Sequence, residues 1–227
     1  MIAHKKEFGM GAAMFAGFWV VFIIIMSPVF EGKNILDYMD NLYNTISKKS
    51  AYFVPVVQKK AEAFNGQQIS FSVKANGEQA ERLIKIFEAA KATATVEGEK
   101  VKITGDMGAI LANMLADADA MYKNEGKAVA EKYGYQEKQA LYDIYTAAKA
   151  AVKDLNSQSK FKEAALFNNA MTKALEPAYN YYGIPAVPIA EKWGTVVISL
   201  VGYVIYTLWF GFSILFMFEG WGLKLEH

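Results

Sequence analysis

The chain has 227 residues, of which 53% are hydrophobic, and its 24 Lys and Arg residues nearly balance its 23 Asp and Glu residues. The formal net charge of +1 argues against a nucleic-acid partner, because phosphate binding depends on clustered Lys and Arg. The lack of cysteine excludes disulfides, thiolate metal sites and iron–sulfur clusters.

The first predicted element is an uncharged apolar run at residues 8–30. As a helix it is about 34 Å long, which is enough to cross a hydrocarbon core of about 30 Å. No small-x-small cleavage pattern follows it, so we interpret it as an uncleaved signal anchor. Lys5 and Lys6 precede it in a tail of residues 1–7 and predict a cytoplasmic N-terminus.

Residues 31–192 form the predicted extracytoplasmic domain. It opens with a helix whose apolar positions run from Ile35 to Ile46, and Pro55 starts a second, short helix. In "QQISFSVKA" apolar and polar residues alternate, which predicts a strand over 68–75. A helix over 78–91 and a hairpin with strands at 93–97 and 100–104 then complete a β-α-β-β unit.

The rest of this domain has helical periodicity. Asp106 is the predicted N-cap of the first helix after the sheet. The breaker "NSQS" separates the next two helices, and Pro177 is expected to end or kink the last one. The predicted fold is therefore a mainly α membrane protein, with two transmembrane helices flanking an α-rich extramembrane domain that contains the small β-α-β-β unit.

The second apolar run covers residues 193–218, carries no charge, and as a helix is about 39 Å long. A short cytoplasmic tail of residues 219–227 is expected to follow it. Trp193 begins this run and Trp221 follows its end by three residues, and tryptophan is enriched at membrane–water interfaces. We predict that they are interfacial anchors.

In both runs, small residues recur at intervals of four residues. This pattern is a more specific signal than the hydrophobicity of the runs, because small side chains allow two helices to approach closely in lipid. Interhelical hydrogen bonds from hydroxyl groups add to such packing. The candidate helix-packing residues are Gly9, Ala13 and Gly17 in the first run and Thr195, Ser199, Thr207 and Gly211 in the second.

Groups with catalytic or metal-binding potential are scarce. The two histidines, His4 and His227, lie in the tails, and no zinc, triad or nucleotide motif is found. Asp117 and Asp119 do not match the spacing of a calcium loop, so we interpret them as solvated helix residues. We therefore predict no catalytic residue, no metal site and no cofactor.

Tyrosines are numerous in the predicted domain. Tyr142 and Tyr145 are three residues apart on one helix, and we interpret them as core residues. The tyrosines at 179–182 are close to the second run, where interfacial aromatics belong, so we expect them to pack at the membrane surface. Contact with a small ligand is the alternative for both groups.

These patterns predict a non-enzymatic, two-span protein of a bacterial-type inner membrane. Its expected partners are the lipid bilayer and other membrane subunits or further copies of itself, and no nucleic acid. Its expected role is that of an accessory or structural subunit, or of a self-assembling oligomer. The alternative is an extracytoplasmic ligand-binding or sensing module that signals through a partner protein.

Overall fold

The computed structural model describes residues 2–29 and 32–223. Contacts divide the chain into two compact units. The terminal unit consists of residues 1–46 and 187–227, and the middle unit consists of residues 47–186.

Two long apolar helices dominate the terminal unit. Helix α1 is Lys5–Met26 and helix α10 is Ile189–Gly220. Helix α1 ends before the predicted limit at residue 30, because Pro28 disfavours helical backbone at Ser27, which is extended. Position 30 itself lies outside the described residues. Helix α10 begins four residues before the predicted run, directly after Pro188.

Helix α2 is Ile35–Ser50, and its last turn belongs to the middle unit. The Asn34 side chain accepts a hydrogen bond from the Asp37 backbone N–H at 2.8 Å, which satisfies one free donor at the start of the helix. Helix α2 is also tied to the second long helix, because the Tyr43 and Ser199 hydroxyl oxygens lie 2.6 Å apart.

The middle unit contains the predicted β-α-β-β arrangement, which is confirmed. Its elements are β1 Gln68–Lys74, α4 Gly77–Ala89, β2 Thr93–Glu97 and β3 Lys100–Asp106. The three strands form an antiparallel sheet in the order β1-β3-β2. Ile69, Phe71 and Val73 are buried on one face of β1, as the alternating pattern predicts.

Seven helices accompany the sheet. Besides α4, they are α3 Val54–Ala61, α5 Met107–Tyr122, α6 Gly126–Tyr133, α7 Glu137–Ser157, α8 Phe161–Ala170 and α9 Glu176–Asn180. A 3₁₀ turn, Glu62–Phe64, follows α3. The Asp106 side chain accepts from the Ala109 N–H at 2.9 Å, so the predicted N-cap is confirmed. A π-helical segment, Met171–Leu175, directly precedes α9. Pro177, in the first turn of α9, lacks an N–H, and a wider π turn beside it is a usual response.

One hydrophobic cluster forms the core of the middle unit, and it joins the sheet to helices α3 to α9. Helix α7 also covers the outer edge of β1. Asp154 accepts from the Ser72 N–H at 2.9 Å, and the Gln158 amide donates to the Ser70 carbonyl at 2.9 Å. These side chains satisfy backbone groups that an open strand edge would expose.

Candidate functional site

The contact between α1 and α10 is closest at two glycines. A Cβ on Gly11 would lie 2.7 Å from the Met217 backbone nitrogen and 2.8 Å from the Ser213 carbonyl oxygen. A Cβ on Gly220 would lie 2.5 Å from the Phe8 backbone nitrogen. Since real Cβ atoms do not approach backbone this closely, glycine is required at both positions for the helices to touch here.

Aromatic rings fill the middle of the same contact. Phe18 stacks on Tyr206 with centroids 4.4 Å apart and lies 4.8 Å from the Phe210 ring. The Trp209 indole N–H donates to the Met14 carbonyl oxygen at 3.0 Å. Because Phe8 meets Gly220 while Phe18 meets Tyr206, the two helices run antiparallel.

The predicted small-residue stripe of α1 lies largely outside this contact. Gly9 and Ala13 are exposed, and no described atom comes within 4 Å of a Cβ placed on Gly9. Gly17 is the exception, because its Cβ would lie 3.2 Å from the Trp209 ring. Close packing of Gly9 and Ala13 against another helix stays a prediction.

The predicted residues of α10 are also spread over several surroundings. No described atom lies within 4 Å of a Cβ placed on Gly211. Thr195 is half-buried, and the Thr207 hydroxyl donates to the Tyr203 carbonyl at 2.8 Å. Ser199 makes the bond to Tyr43 described above.

The two predicted anchors differ in their contacts. Trp193 is 66% exposed. Trp221 is 50% exposed and packs on Phe8 with ring centroids 5.6 Å apart. Their depth in a membrane stays a prediction.

In the middle unit, Lys48 is buried without a carboxylate partner among the described residues. It is 2% exposed, and its ammonium group donates to Asn124 Oδ1 at 2.9 Å and to the carbonyl oxygens of Tyr181 and Ile184 at 3.0 and 2.6 Å. It also lies 5.3 Å from the Tyr122 ring centroid. Burial lowers the pKa of Lys48, because the charged form loses hydration. Through these hydrogen bonds, Lys48 links the start of the middle unit to its C-terminal end.

The interpretation of Asp117 as a solvated residue is wrong. Asp117 is 3% exposed, accepts from the Lys132 ammonium group at 2.6 Å, and accepts a short hydrogen bond from the Tyr133 hydroxyl. The position lies on the inward face of α5, which is fully buried along most of its length. A lysine 15 residues away is not visible as a partner from sequence spacing.

A second buried carboxylate, Asp143, was not singled out from the sequence. It is 0% exposed and accepts from Arg82 Nε at 2.7 Å and from Gln139 Nε2 at 3.1 Å. The hydrogen bond to Asp143 raises the pKa of Arg82. Helical spacing is the signal that indicates its burial, because Asp143 follows Ala140 by three residues on α7 and both residues are buried.

Several tyrosines differ from their predicted surroundings. Tyr142 is 50% exposed, so its assignment to the core is wrong, whereas Tyr145 is half-buried and donates to Glu176 at 3.1 Å. Tyr181 and Tyr182 pack against the core of the middle unit. Tyr179 is 40% exposed, and packing of the tyrosines at 179–182 at a membrane surface stays a prediction.

The terminal unit also holds a cleft of about 360 Å³. Lys33 and Lys192 line it together with Tyr38, Asn41, Leu42 and Thr45. The Val187 N–H donates to the Thr45 carbonyl oxygen at 3.1 Å and so joins α2 to the segment before α10. The sequence did not indicate this site, because its residues come from segments about 150 positions apart in the chain.

The buried charges of the middle unit, Lys48, Asp117 and Asp143, thus all have hydrogen-bond partners within this unit. Among residues 2–29 and 32–223, no three His, Cys, Asp or Glu side chains come together in a group that fits a metal ion. Comparison with known proteins found no matching family model, no matching curated protein and no matching solved structure.

Proposed function

We propose that this protein is a non-enzymatic, two-span membrane protein that serves as a structural or accessory subunit of a membrane complex or assembles with copies of itself. In this proposal, α1 and α10 cross a bacterial-type inner membrane, and the domain between them lies outside the cytoplasm.

The exposed apolar surface of α1 and α10 carries the proposal. Both helices are long and apolar enough to cross a membrane, yet only 11% and 6% of the residues in their most apolar windows are buried. Side chains such as Val20, Ile23 and Ile198 are 59%, 62% and 73% exposed. Soluble proteins rarely expose continuous apolar surfaces of this size. Lipid tails or partner helices would shield these side chains from water.

The outward face of α1 supports the assembly part of the proposal. Gly9, Ala13 and Ala16 are exposed on it. In lipid, helices associate by close packing rather than by the hydrophobic effect, and small side chains permit that packing. A helix of another subunit or of a second copy fits this face better than lipid does.

The charges in the first turn of α1 support the orientation. Lys5 and Lys6 are exposed in its first turn, and lysines beside a span favour the cytoplasmic side. The domain that follows α1 would then be extracytoplasmic.

Membrane insertion and orientation are tested on the full chain in cells. We expect the protein to stay in membranes through alkaline carbonate washing. A Lys127→Cys variant, at an exposed position, should react with an impermeant maleimide in intact cells. Release by carbonate would contradict insertion, and labelling only after lysis would contradict the orientation.

Assembly is tested by native mass spectrometry in mild detergent. The double variant Gly9→Leu/Ala13→Leu should lower the mass of the wild-type assembly. Gly202→Leu is the matched control, because it adds the same side chain where no described atom lies within 4 Å. A monomeric wild type, or equal masses for all three proteins, would contradict the assembly proposal.

A further inference from the structure

The cleft of the terminal unit joins two cations that are distant in sequence. Lys33 lies between α1 and α2, and Lys192 lies in the first turn of α10. Among residues 2–29 and 32–223, neither has an ion pair within 4.0 Å. Two like charges that face one volume favour an anion in it, because the anion lowers their mutual repulsion.

Other polar groups of the cleft are already engaged as donors. The Asn41 amide donates to the Asp37 carbonyl at 2.8 Å, and the Thr45 hydroxyl donates to the Leu42 carbonyl at 2.7 Å. The ammonium groups of Lys33 and Lys192 add two charged donors to the cleft. An ammonium group binds phosphate as a point charge without demanding a fixed geometry.

Acidic residues near the cleft do not line it. Asp37 and Glu191 are adjacent in sequence to its walls, and Asp40 accepts from the Asn44 amide at 2.9 Å. The cleft itself contains two cations and no carboxylate among the described residues. Its apolar wall includes Leu42, which is 8% exposed.

The position of the cleft along the long helices indicates the source of the anion. Lys33 follows the C-terminal end of α1, and Lys192 lies at the N-terminal end of α10. Because these helices run antiparallel, both lysines are at the same end of the pair. In a membrane, that end lies at the level of the lipid headgroups, where lysines attract anionic lipid.

We infer that the cleft binds the phosphate headgroup of an anionic phospholipid through Lys33 and Lys192, with the acyl chains lying along the exposed apolar surface of α1 and α10. This inference rests on the proposed membrane insertion. It adds a specific lipid to the general bilayer contact.

The test is native mass spectrometry of the full chain in mild detergent, titrated with phosphatidylglycerol or phosphatidylcholine. We expect tighter binding of phosphatidylglycerol to the wild type. Lys33→Gln/Lys192→Gln should lose this preference, by about fivefold in apparent Kd for each lysine removed. The control Lys149→Gln/Lys162→Gln removes the same charge from exposed positions of the middle unit and should keep the preference.

Three outcomes would overturn the inference. The first is an unchanged preference in Lys33→Gln/Lys192→Gln, and the second is an equal loss in the control. The third is displacement of the bound lipid by inorganic phosphate at millimolar concentration, which would assign the cleft to a soluble anion. Carbonate washing separates this inference from the proposed function, because a protein that stays in membranes without a lipid preference contradicts only the inference.

Discussion

The middle unit and the α1–α10 pair are held together by different means. The middle unit buries a continuous cluster of aliphatic and aromatic side chains, among them Phe71, Phe87 and Phe167. In α1 and α10 the buried residues are Gly11, Phe18, Ser213 and Gly220. The first interior depends on removing side chains from water. The second brings two backbones close together at Gly11 and Gly220.

The two interiors also differ in the hydrogen bonding of their buried polar groups. In the middle unit, Asp117, Asp143 and Lys48 each have several hydrogen-bond partners. In the helical pair, the Tyr206 hydroxyl is buried and has no partner among the described residues. The buried charges of the middle unit are thus hydrogen-bonded, as is usual for buried polar groups. The helical pair, in contrast, contains one buried polar group without a described partner.

The largest expected effect is the loss of a buried, hydrogen-bonded carboxylate in the middle unit. Asp143→Ala should lower the free energy of unfolding by about 3–5 kcal/mol, because it leaves the partly buried Arg82 with only the exposed and more distant Glu78 as an ion-pair partner. Urea unfolding in mild detergent, followed by circular dichroism, measures the change. Glu131→Ala, which removes the exposed partner of the exposed Lys127, should cost about 1 kcal/mol or less. Equal losses would contradict the distinction between buried and surface pairs.

A pH titration tests burial in the same unit. Burial raises the pKa of Tyr122 to about 12, and the neighbouring Tyr181 and Tyr52 act in the same direction. The unfolded chain therefore loses this proton near pH 10, and the stability that is present below pH 10 is lost as the pH rises through about 12. The expected loss is about 2–3 kcal/mol.

Lys48 contributes with the opposite sign, because its lowered pKa makes stability rise with pH until its unfolded pKa of 10.5. Measurements above that pH isolate the tyrosine effect. Tyr122→Phe should make the fall in stability shallower than it is in the wild type. Identical slopes for the wild type and Tyr122→Phe would contradict the assignment.

For the helical pair, the sharpest change is Gly11→Leu. It should destabilise the α1–α10 contact by about 1–3 kcal/mol, because the new side chain would collide with the backbone of α10. Unfolding in mixed micelles of increasing dodecyl sulfate content measures the loss. Gly202→Leu, which adds the same side chain where no described atom lies within 4 Å, is the control for the stability of the pair. Equal destabilisation by both would show that the helices pack in another register.

The smallest expected effect has the opposite direction. Tyr206→Phe should stabilise the helical pair by about 1 kcal/mol, because it removes a buried hydroxyl that has no partner among the described residues. Phe210→Leu on the same helix is the comparison, since it removes ring contacts with Phe18 and should destabilise. A loss of stability in Tyr206→Phe would indicate that the hydroxyl is hydrogen-bonded after all, for instance to a water molecule.

Local patterns predicted most of the elements correctly. The alternation around Phe71 and the N-cap at Asp106 depend on residues that are neighbours in sequence. Two apolar runs likewise predicted two long helices. In each case, the residues that determine the structure lie within one element.

The contacts between distant residues required the tertiary structure. Sequence spacing indicated Gly9 and Ala13, but the face of α1 that meets α10 contains Gly11 and Phe18. Several stripes of small residues fit one helix equally well, and only the position of the second helix selects between them. Asp117, Lys48 and the cleft at Lys33 and Lys192 follow the same rule, because a partner that is far along the chain leaves no local signal.

The sequence by itself therefore determined the type and order of the elements, because backbone propensity and hydrophobic periodicity are local properties of the chain. The tertiary structure alone decided which glycines touch, which charges are buried and where two lysines meet. These features depend on which faces of separate elements pack against each other, and that choice is made by the three-dimensional packing of the whole unit.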